Sequence, residues 1–343
     1  MLSNLRKREA FQVTGTCKSF RAAAQQLTKT DGFQPWLIVA CSGSHKLVEL
    51  DVASGSLLGS TPALNCRYSC ISKHGYKRQL QHLGSARRCI PDWLTAIAFA
   101  PDHHLYACHY ALFGVLGYTC KQGFGGKRKV VFSYEEQLPS PEGICFAKDC
   151  MYVASEGQPT TIEDIHDCGA QEVPWGITAG PDGNSLYVTC NMAYQCKKYY
   201  SDQPPRSAPG HVRCIPLKAD GRFGPGRPFC ETCPEAHLIR PSGLCFDVKG
   251  RLLVTSMSGQ VHRYHASASE THTAGQFDKT MLTLPPNLGN PWDVKATKAF
   301  LFVSVHHGDK HGRVLILDAE SGGLLRSIGG DGSLNQPNML AVE

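Results

Sequence analysis

The sequence predicts an all-β fold: a six-bladed β-propeller of four-stranded blades, its ring closed by pairing the C-terminal strand with the N-terminal blade. Three observations carry this expectation. Short strand–turn–strand pieces recur along the chain, and they share an opening of the Pro-x-Gly type. The body of the chain has no long window of helical 3.6-residue periodicity, whereas period-2 and short apolar runs are frequent. The two ends of the chain also supply complementary parts of one unit.

Ahead of the repeats, residues 1–35 form a basic extension. Arg6, Lys7, Arg8, Lys18, Arg21 and Lys29 face the single acid Glu9, with Ser, Thr and Ala between. That composition reads as a plain disordered or helical basic extension, with an organellar transit peptide as the alternative. The propeller is expected over residues 36–343. Its first unit, residues 36–60, reads as later strands without an innermost one: Trp36–Cys41, then HKLVELDVASGSLLGS. Residues 94–106 (LTAIAFAPDHHLY), 141–153 (PEGICFAKDCMYV) and 174–188 (PWGITAGPDGNSLYV) each read as a strand, a tight turn and a second strand. So do residues 240–264 (RPSGLCFDVKGRLLVTSMSGQVHRY) and 291–303 (PWDVKATKAFLFV). Asp-Gly and Lys-Gly turns between such runs are hairpin signals.

Third and fourth strands are weaker but visible. GRVLILDAESGGLLRSIGG at 312–330 repeats the pattern of residues 45–60, so a unit is four strands, the size of a propeller blade. The final QPNMLAVE, 336–343, reads as an innermost strand that completes the first unit. Closing the ring this way pairs edges otherwise left open. Openings at Leu94, Pro141, Pro174, Pro241, Pro291 and Pro337 count six blades. A seven-bladed YVTN-type propeller is the alternative, because Leu186-Tyr187-Val188-Thr189 follows Pro181-Asp182-Gly183.

Composition agrees with a folded globular protein: 343 residues, 42% hydrophobic and 19% charged. A formal charge of +6 spread along the chain does not by itself imply nucleic acid or an anionic membrane. No apolar run is long enough to span a bilayer as a helix, and no secretory signal precedes the repeats. A cytoplasmic monomer is expected, with mitochondrion or plastid as the alternative reading of the basic N-terminus. The sixteen cysteines are therefore expected to be reduced and buried, acting as small hydrophobes.

Position x of each opening is expected to point towards a shared funnel. These residues are Thr95, Glu142, Trp175, Ser242, Trp292 and Asn338, and Trp93 adds aromatic area nearby. Exposed Trp beside polar groups is the composition of interaction surfaces. Cys230 and Cys233 with His237 have zinc-like first spacing, read as a knuckle inside a fourth-blade insertion. His306, His307 and His311 read as a hairpin loop, and His103-His104 as turn residues. Two basic stretches, 73–88 and 125–129 (GGKRK, a hairpin tip), would matter to nucleic acid only as one coherent patch with stacking aromatics. Gly123-Phe124-Gly125-Gly126 lacks the Lys-Ser/Thr ending of a phosphate loop, and no Gly-x-Ser-x-Gly elbow occurs.

These openings resemble the NHL-repeat and TolB-like six-bladed propellers, and more distantly the senescence-marker/gluconolactonase family, over residues 36–343. The last resemblance implies lactonase activity with one divalent cation, calcium or similar, held by a Glu, two Asn and an Asp. Glu142-Gly143-Ile144 matches the family's Glu opening in part. Pro174-Trp175-Gly176 places Trp where that pattern needs Asn, and Pro241-Ser242-Gly243 places Ser where it needs Asp. Glu142 and Asn338 remain as the candidate metal pair. The resemblance to NHL propellers implies RNA binding through a basic face. The departures favour a non-catalytic scaffold that binds a protein or small-molecule ligand at the channel mouth and blade loops, with no cofactor. A divergent metal-dependent lactonase or hydrolase is the first alternative and an RNA-binding propeller the second.

Overall fold

The structure, a computed structural model, describes residues 36–44, 46–52, 57–62, 94–101, 103–109, 114–118, 128–129, 141–155, 172–192, 210–230, 236–306 and 312–342. The N-terminal extension 1–35, the basic stretch 73–88, Trp93, Cys233, His307 and His311 lie outside these residues.

The chain is an all-β propeller. Its first sheet runs β22-β1-β2-β3, with β1 at Trp36–Cys41, β2 at Lys46–Asp51, β3 at Leu57–Pro62 and β22 at Pro337–Val342. The second holds β4 (Leu94–Phe99), β5 (Leu105–His109), β6 (Gly114–Tyr118) and β7 (Arg128–Lys129). The third pairs β8 (Pro141–Ala147) with β9 (Cys150–Ser155). The fourth holds β10 (Glu172–Ala179), β11 (Ser185–Met192), β12 (Gly210–Pro216) and β13 (Arg227–Cys230). The fifth is β14 (Leu244–Phe246), β15 (Arg251–Ser256), β16 (Gln260–His265) and β17 (Phe277–Thr283). The sixth is β18 (Asn290–Ala296), β19 (Phe300–His306), β20 (Arg313–Asp318) and β21 (Leu324–Gly329). No helix among the described residues is long and apolar enough to cross a membrane.

Among the described residues all the strand pairs are antiparallel, and all but one join neighbours in sequence. β22 pairs with β1 from the far end of the chain, Leu37 opposite Val342 and Val39 opposite Leu340. The inner strands also pack side by side: β4 lies beside β22 and β8, β10 beside β8 and β14, and β18 beside β14 and β22. Each seam between neighbouring sheets holds its own apolar cluster. Leu37, Val39 and Leu340 meet Phe300 and Phe302 in one, and Ile38 and Met339 meet Leu94 and Ile97 in the next. The other four follow round the chain in order. Alternation along each strand explains this, because successive side chains face opposite neighbours and both faces are buried.

The turns show what the repeat demands. Gly183 and Gly250 sit at φ 66° and 72° in the β10–β11 and β14–β15 turns, the left-handed region glycine enters without steric penalty. His103 takes the same place at φ 61° after Ala100-Pro101-Asp102. Lys148 and Asp149 turn β8 into β9 at φ 46° and 60°. This primed hairpin turn is made without the usual Asn-Gly.

Three sequence expectations change. Cys230 ends β13 within the sheet and its apolar cluster, not in an insertion loop. His306 ends β19 rather than lying in a hairpin loop. Arg128 and Lys129 form the outermost strand β7, not a hairpin tip.

Candidate functional site

Five of the six inner strands carry a register shift at their opening, between Leu94 and Ala96, Pro141 and Gly143, Pro174 and Ile177, Pro291 and Asp293, and opposite Cys41 where Pro337 gives way to Met339. The displaced residues are Thr95, Glu142, Trp175 with Gly176, Trp292 and Asn338, and Ser242 holds the same place just before β14. A bulge leaves one residue out of the ladder and re-aims its side chain. Position x of the repeat is therefore the bulge position.

The bulge also displaces a backbone N–H, and the second strand of the sheet catches it. Gly176 N–H donates to Thr189 Oγ1 at 2.7 Å, and Thr189 in turn donates to Ser242 O of the fifth sheet at 2.8 Å. Gly243 N–H donates to Thr255 Oγ1 at 2.8 Å, which donates to Trp292 O of the sixth sheet at 3.0 Å. Asp293 N–H donates to Ser304 Oγ at 3.0 Å, which donates to Asn338 O of the first sheet at 2.6 Å. One hydroxyl thus satisfies two buried backbone groups and ties each inner strand to the next. The signal was present in the sequence as Val188-Thr189, Val254-Thr255 and Val303-Ser304 at one position of the repeat, and reading the openings alone missed it. Cys108 holds the equivalent place in the second sheet, its Sγ 3.9 Å from Gly143 O.

The openings' glycines have a related cause. A Cβ on Gly176 would lie 2.1 Å from Ser242 O, and one on Gly243 would lie 2.4 Å from the Asp293 Cα. The inner strands converge so closely that only glycine fits there. Asp293 stands at this place in the sixth sheet, 2% exposed. Its Oδ1 accepts Val294 N–H and Lys295 Nζ, each at 2.9 Å, and its Oδ2 accepts Leu340 N–H of β22 at 2.9 Å.

The six bulge residues do not line one open funnel. Ser242 is 0% exposed and Thr95 and Glu142 are each 8% exposed. The Ser242 hydroxyl donates to Trp292 O at 2.7 Å, and that of Thr95 donates to Pro141 O. Trp175, Trp292 and Asn338 keep partial exposure. Trp175 leaves β10 and packs against the cluster shared by the first and second sheets, although β10's own neighbours are β8 and β14. Its ring meets that of Trp292 edge-on, centroids 5.7 Å apart, and Trp292 meets His306 edge-on at 5.7 Å. The Arg240 guanidinium lies over the Trp175 ring, 5.8 Å from its centroid, within cation–π range. Arg240 had not been singled out from sequence, and His306 had been read only as a loop residue.

Metal-ligating chemistry is placed differently. Glu142 and Asn338 stand on the inner strands of the third and first sheets. Cys230 is 0% exposed, and burial pushes its thiol well above the ordinary range, with nearby Cys214 adding to the shift. Zinc needs the opposite, a thiolate. His237 is exposed. Among the described residues no three His, Cys, Asp or Glu side chains are grouped to hold a metal. The free thiols of Cys41, Cys145 and Cys245 are pushed up to about 12, in each case mainly by burial, with Lys295 opposing the shift at Cys145 and Cys245.

No family model matches the chain, and no curated protein matches it. Among solved structures it is similar to a luciferin-regenerating enzyme at 13% identity and TM-score 0.48, over 69% of this chain and 76% of that one. It is similar to virginiamycin B lyase from Staphylococcus aureus at 11% identity and TM-score 0.44, over 72% and 87%. It is also similar to hydrazine synthase of Kuenenia stuttgartiensis at 12% identity and TM-score 0.43, over 81% and 90%. The activities in these names differ from one another, and at such scores none of them transfers to this chain.

Proposed function

We propose that the six sheets are the blades of one closed propeller, and that the chain binds a ligand at the bulged mouth without transforming it. The observation that supports this reading is the Trp175–Trp292 pair. Two of the six bulge positions, where a metal-dependent hydrolase needs oxygen ligands, hold partly exposed indoles instead. Two more, Thr95 and Ser242, direct their hydroxyls at backbone carbonyls. That leaves Glu142 and Asn338, too few oxygens for a hard cation, which takes six or more including water. Aromatic area beside a guanidinium and an imidazole is the composition of binding sites, where such groups carry much of the affinity. The partner is a protein or small-molecule ligand taken up by a monomer.

The test is a lactone assay on the purified full chain with Ca²⁺, Mn²⁺ or Zn²⁺, each against EDTA. The reading predicts no turnover of gluconolactone and no metal-induced rise in the thermal midpoint. A metal bound at 100 times its Kd would add about 2.7 kcal/mol, a plainly visible shift. Turnover that EDTA abolishes and Glu142→Gln removes would establish the hydrolase instead.

A further inference from the structure

Two imidazoles lie face to face on the outer hairpin of the fifth sheet. His265 ends β16, and His272 belongs to the loop 266–276 that leads into β17. Their ring centroids are 3.6 Å apart and their planes differ by 21°. Both rings are half-buried.

The loop they hold has a defined seat. Gly275 N–H donates to His265 O at 2.7 Å, and His265 N–H donates to Gln276 O at 2.9 Å. Ser269 N–H donates to His272 O at 2.8 Å. Gly275, at φ 83°, passes close to the outermost strand of the fourth sheet. A Cβ there would lie 2.1 Å from Phe229 O of β13. The loop thus reaches from the fifth sheet across to the fourth, and the stacked ring of His272 fastens it to its own strand.

Charge decides when that fastening holds. Neutral planar rings attract at this separation, whereas two imidazolium rings repel. The charges around the pair do not offset that repulsion. Asp278 of β17 has its Oδ1 4.0 Å from His265 Nε2, beyond hydrogen-bond length, and its Oδ2 accepts from Arg263 Nε. Arg263 on β16 and Arg251 on β15 add positive charge near His265, and Arg251 is itself paired with Asp247 and Glu320. Glu270, in the loop, is exposed. His265 is accordingly held below its ordinary 6.5, by burial first and by His272 second, with Asp278 opposing. The contact is therefore complete above that ordinary value and is lost as pH falls through the lowered one. His272 Nδ1 lies 2.8 Å from Ser269 Oγ and 3.2 Å from Thr271 Oγ1. A hydroxyl can accept from imidazolium or donate to imidazole, so these bonds serve both states and the stack sets the sign. We propose that the His265–His272 stack is an acid-released latch, holding the loop 266–276 on the fourth sheet at neutral pH and freeing it in acid. The latch is independent of the reading of the mouth as a ligand site.

The experiment is NMR on the full chain at pH 7.5, 6 and 5, reading the imidazole Cε1–H shifts and the exchange protection of the Ser269 and Gly275 amides. Both amides are expected to lose protection at least tenfold between pH 7.5 and 5, while Val254 on β15 keeps its own. His262, pushed down to about 4 by burial, stays neutral over that range, so the expected change is local. His272→Phe keeps a ring that can stack but takes up no proton. It is expected to hold both amides protected at pH 5 and to move the His265 titration upwards. His272→Asn keeps a polar group beside Ser269 but has no ring to stack, and should leave both amides unprotected at all three pH values. The asparagine variant carries the test if the phenylalanine variant misfolds. The proposal is overturned by protection that does not change with pH, or by Val254 losing protection in step with the loop. It is equally overturned by the same fall in His272→Phe, by a His265 titration that this variant leaves unmoved, or by wild-type protection at pH 7.5 in His272→Asn.

Discussion

At the scale of single residues, burial decides chemistry more than identity does. His262 on β16 is 0% exposed, and burial pushes its imidazole down to about 4 from an ordinary 6.5. Its Nδ1 lies 3.1 Å from Thr280 Oγ1. The folded state therefore takes up the proton less readily than the unfolded chain does. Stability from this group is complete above the unfolded value of 6.5 and falls as pH drops towards 4. The total loss is on the order of 3 kcal/mol, from about 1.4 kcal/mol per unit of pKa difference. Denaturant titrations at pH 7.5, 6, 5 and 4 should show this decline, and His262→Leu should flatten it. An unchanged pH profile in that variant would place the acid sensitivity elsewhere. The same principle separates two readings of cysteine. The spacing of Cys230 from Cys233 suggested a ligand pair, but spacing says nothing of burial, and Cys230 belongs to the core.

At the scale of elements, the repeat was legible in its openings and illegible in its fastening. Pro-x-Gly marked the inner strands because proline can open a strand and the glycine meets the next strand's backbone. The sequence therefore located the bulge residues, and the structure keeps Thr95, Glu142, Trp175, Ser242, Trp292 and Asn338 at equivalent places. Their orientation could not be read. Whether a bulged side chain turns into a seam or out to the mouth depends on neighbours from other sheets, as Ser242 and Trp175 demonstrate at the same repeat position. The hydroxyl bridges are testable directly. Thr255→Val keeps the shape but removes the hydroxyl from Gly243 N–H, which still reaches Trp292 O at 2.7 Å. It also takes one donor from Trp292 O, which Ser242 still supplies. The loss is that of a hydrogen bond rather than of an orphaned group, about 0.5–1.5 kcal/mol. Thr255→Ser, which keeps the hydroxyl, should lie within about 1 kcal/mol of wild type in the same urea titrations. Gly176→Ala forces a methyl group against Ser242 O and should cost at least as much as overpacking does, about 1–3 kcal/mol. Valine tolerated at position 255 without loss would mean that the bridge contributes nothing to the seam.

At the scale of the whole molecule, the proposed mouth exists only if the ring closes. Asn338, the carbonyl that Ser304 grips, and Leu340 N–H, which Asp293 accepts, all come from β22. The complementary ends of the chain pointed to this pairing in the sequence, since a first unit without an inner strand and a last strand without a unit fit only each other. What the sequence could not supply is Trp175 reaching out of its own blade, because that contact joins strands far apart in the repeat. The proposed closure would give the final strand the stability of the whole rather than of a terminus, which otherwise frays. Native-state hydrogen exchange tests this most directly, read at the amides of Leu340 and Leu37 and compared with Val254 and Val303 in the fifth and sixth sheets. A closed ring predicts that all four exchange with one opening free energy and one denaturant dependence, that of global unfolding. Leu340 and Leu37 exchanging together through a smaller, separate opening would contradict closure, and with it the mouth built on β22.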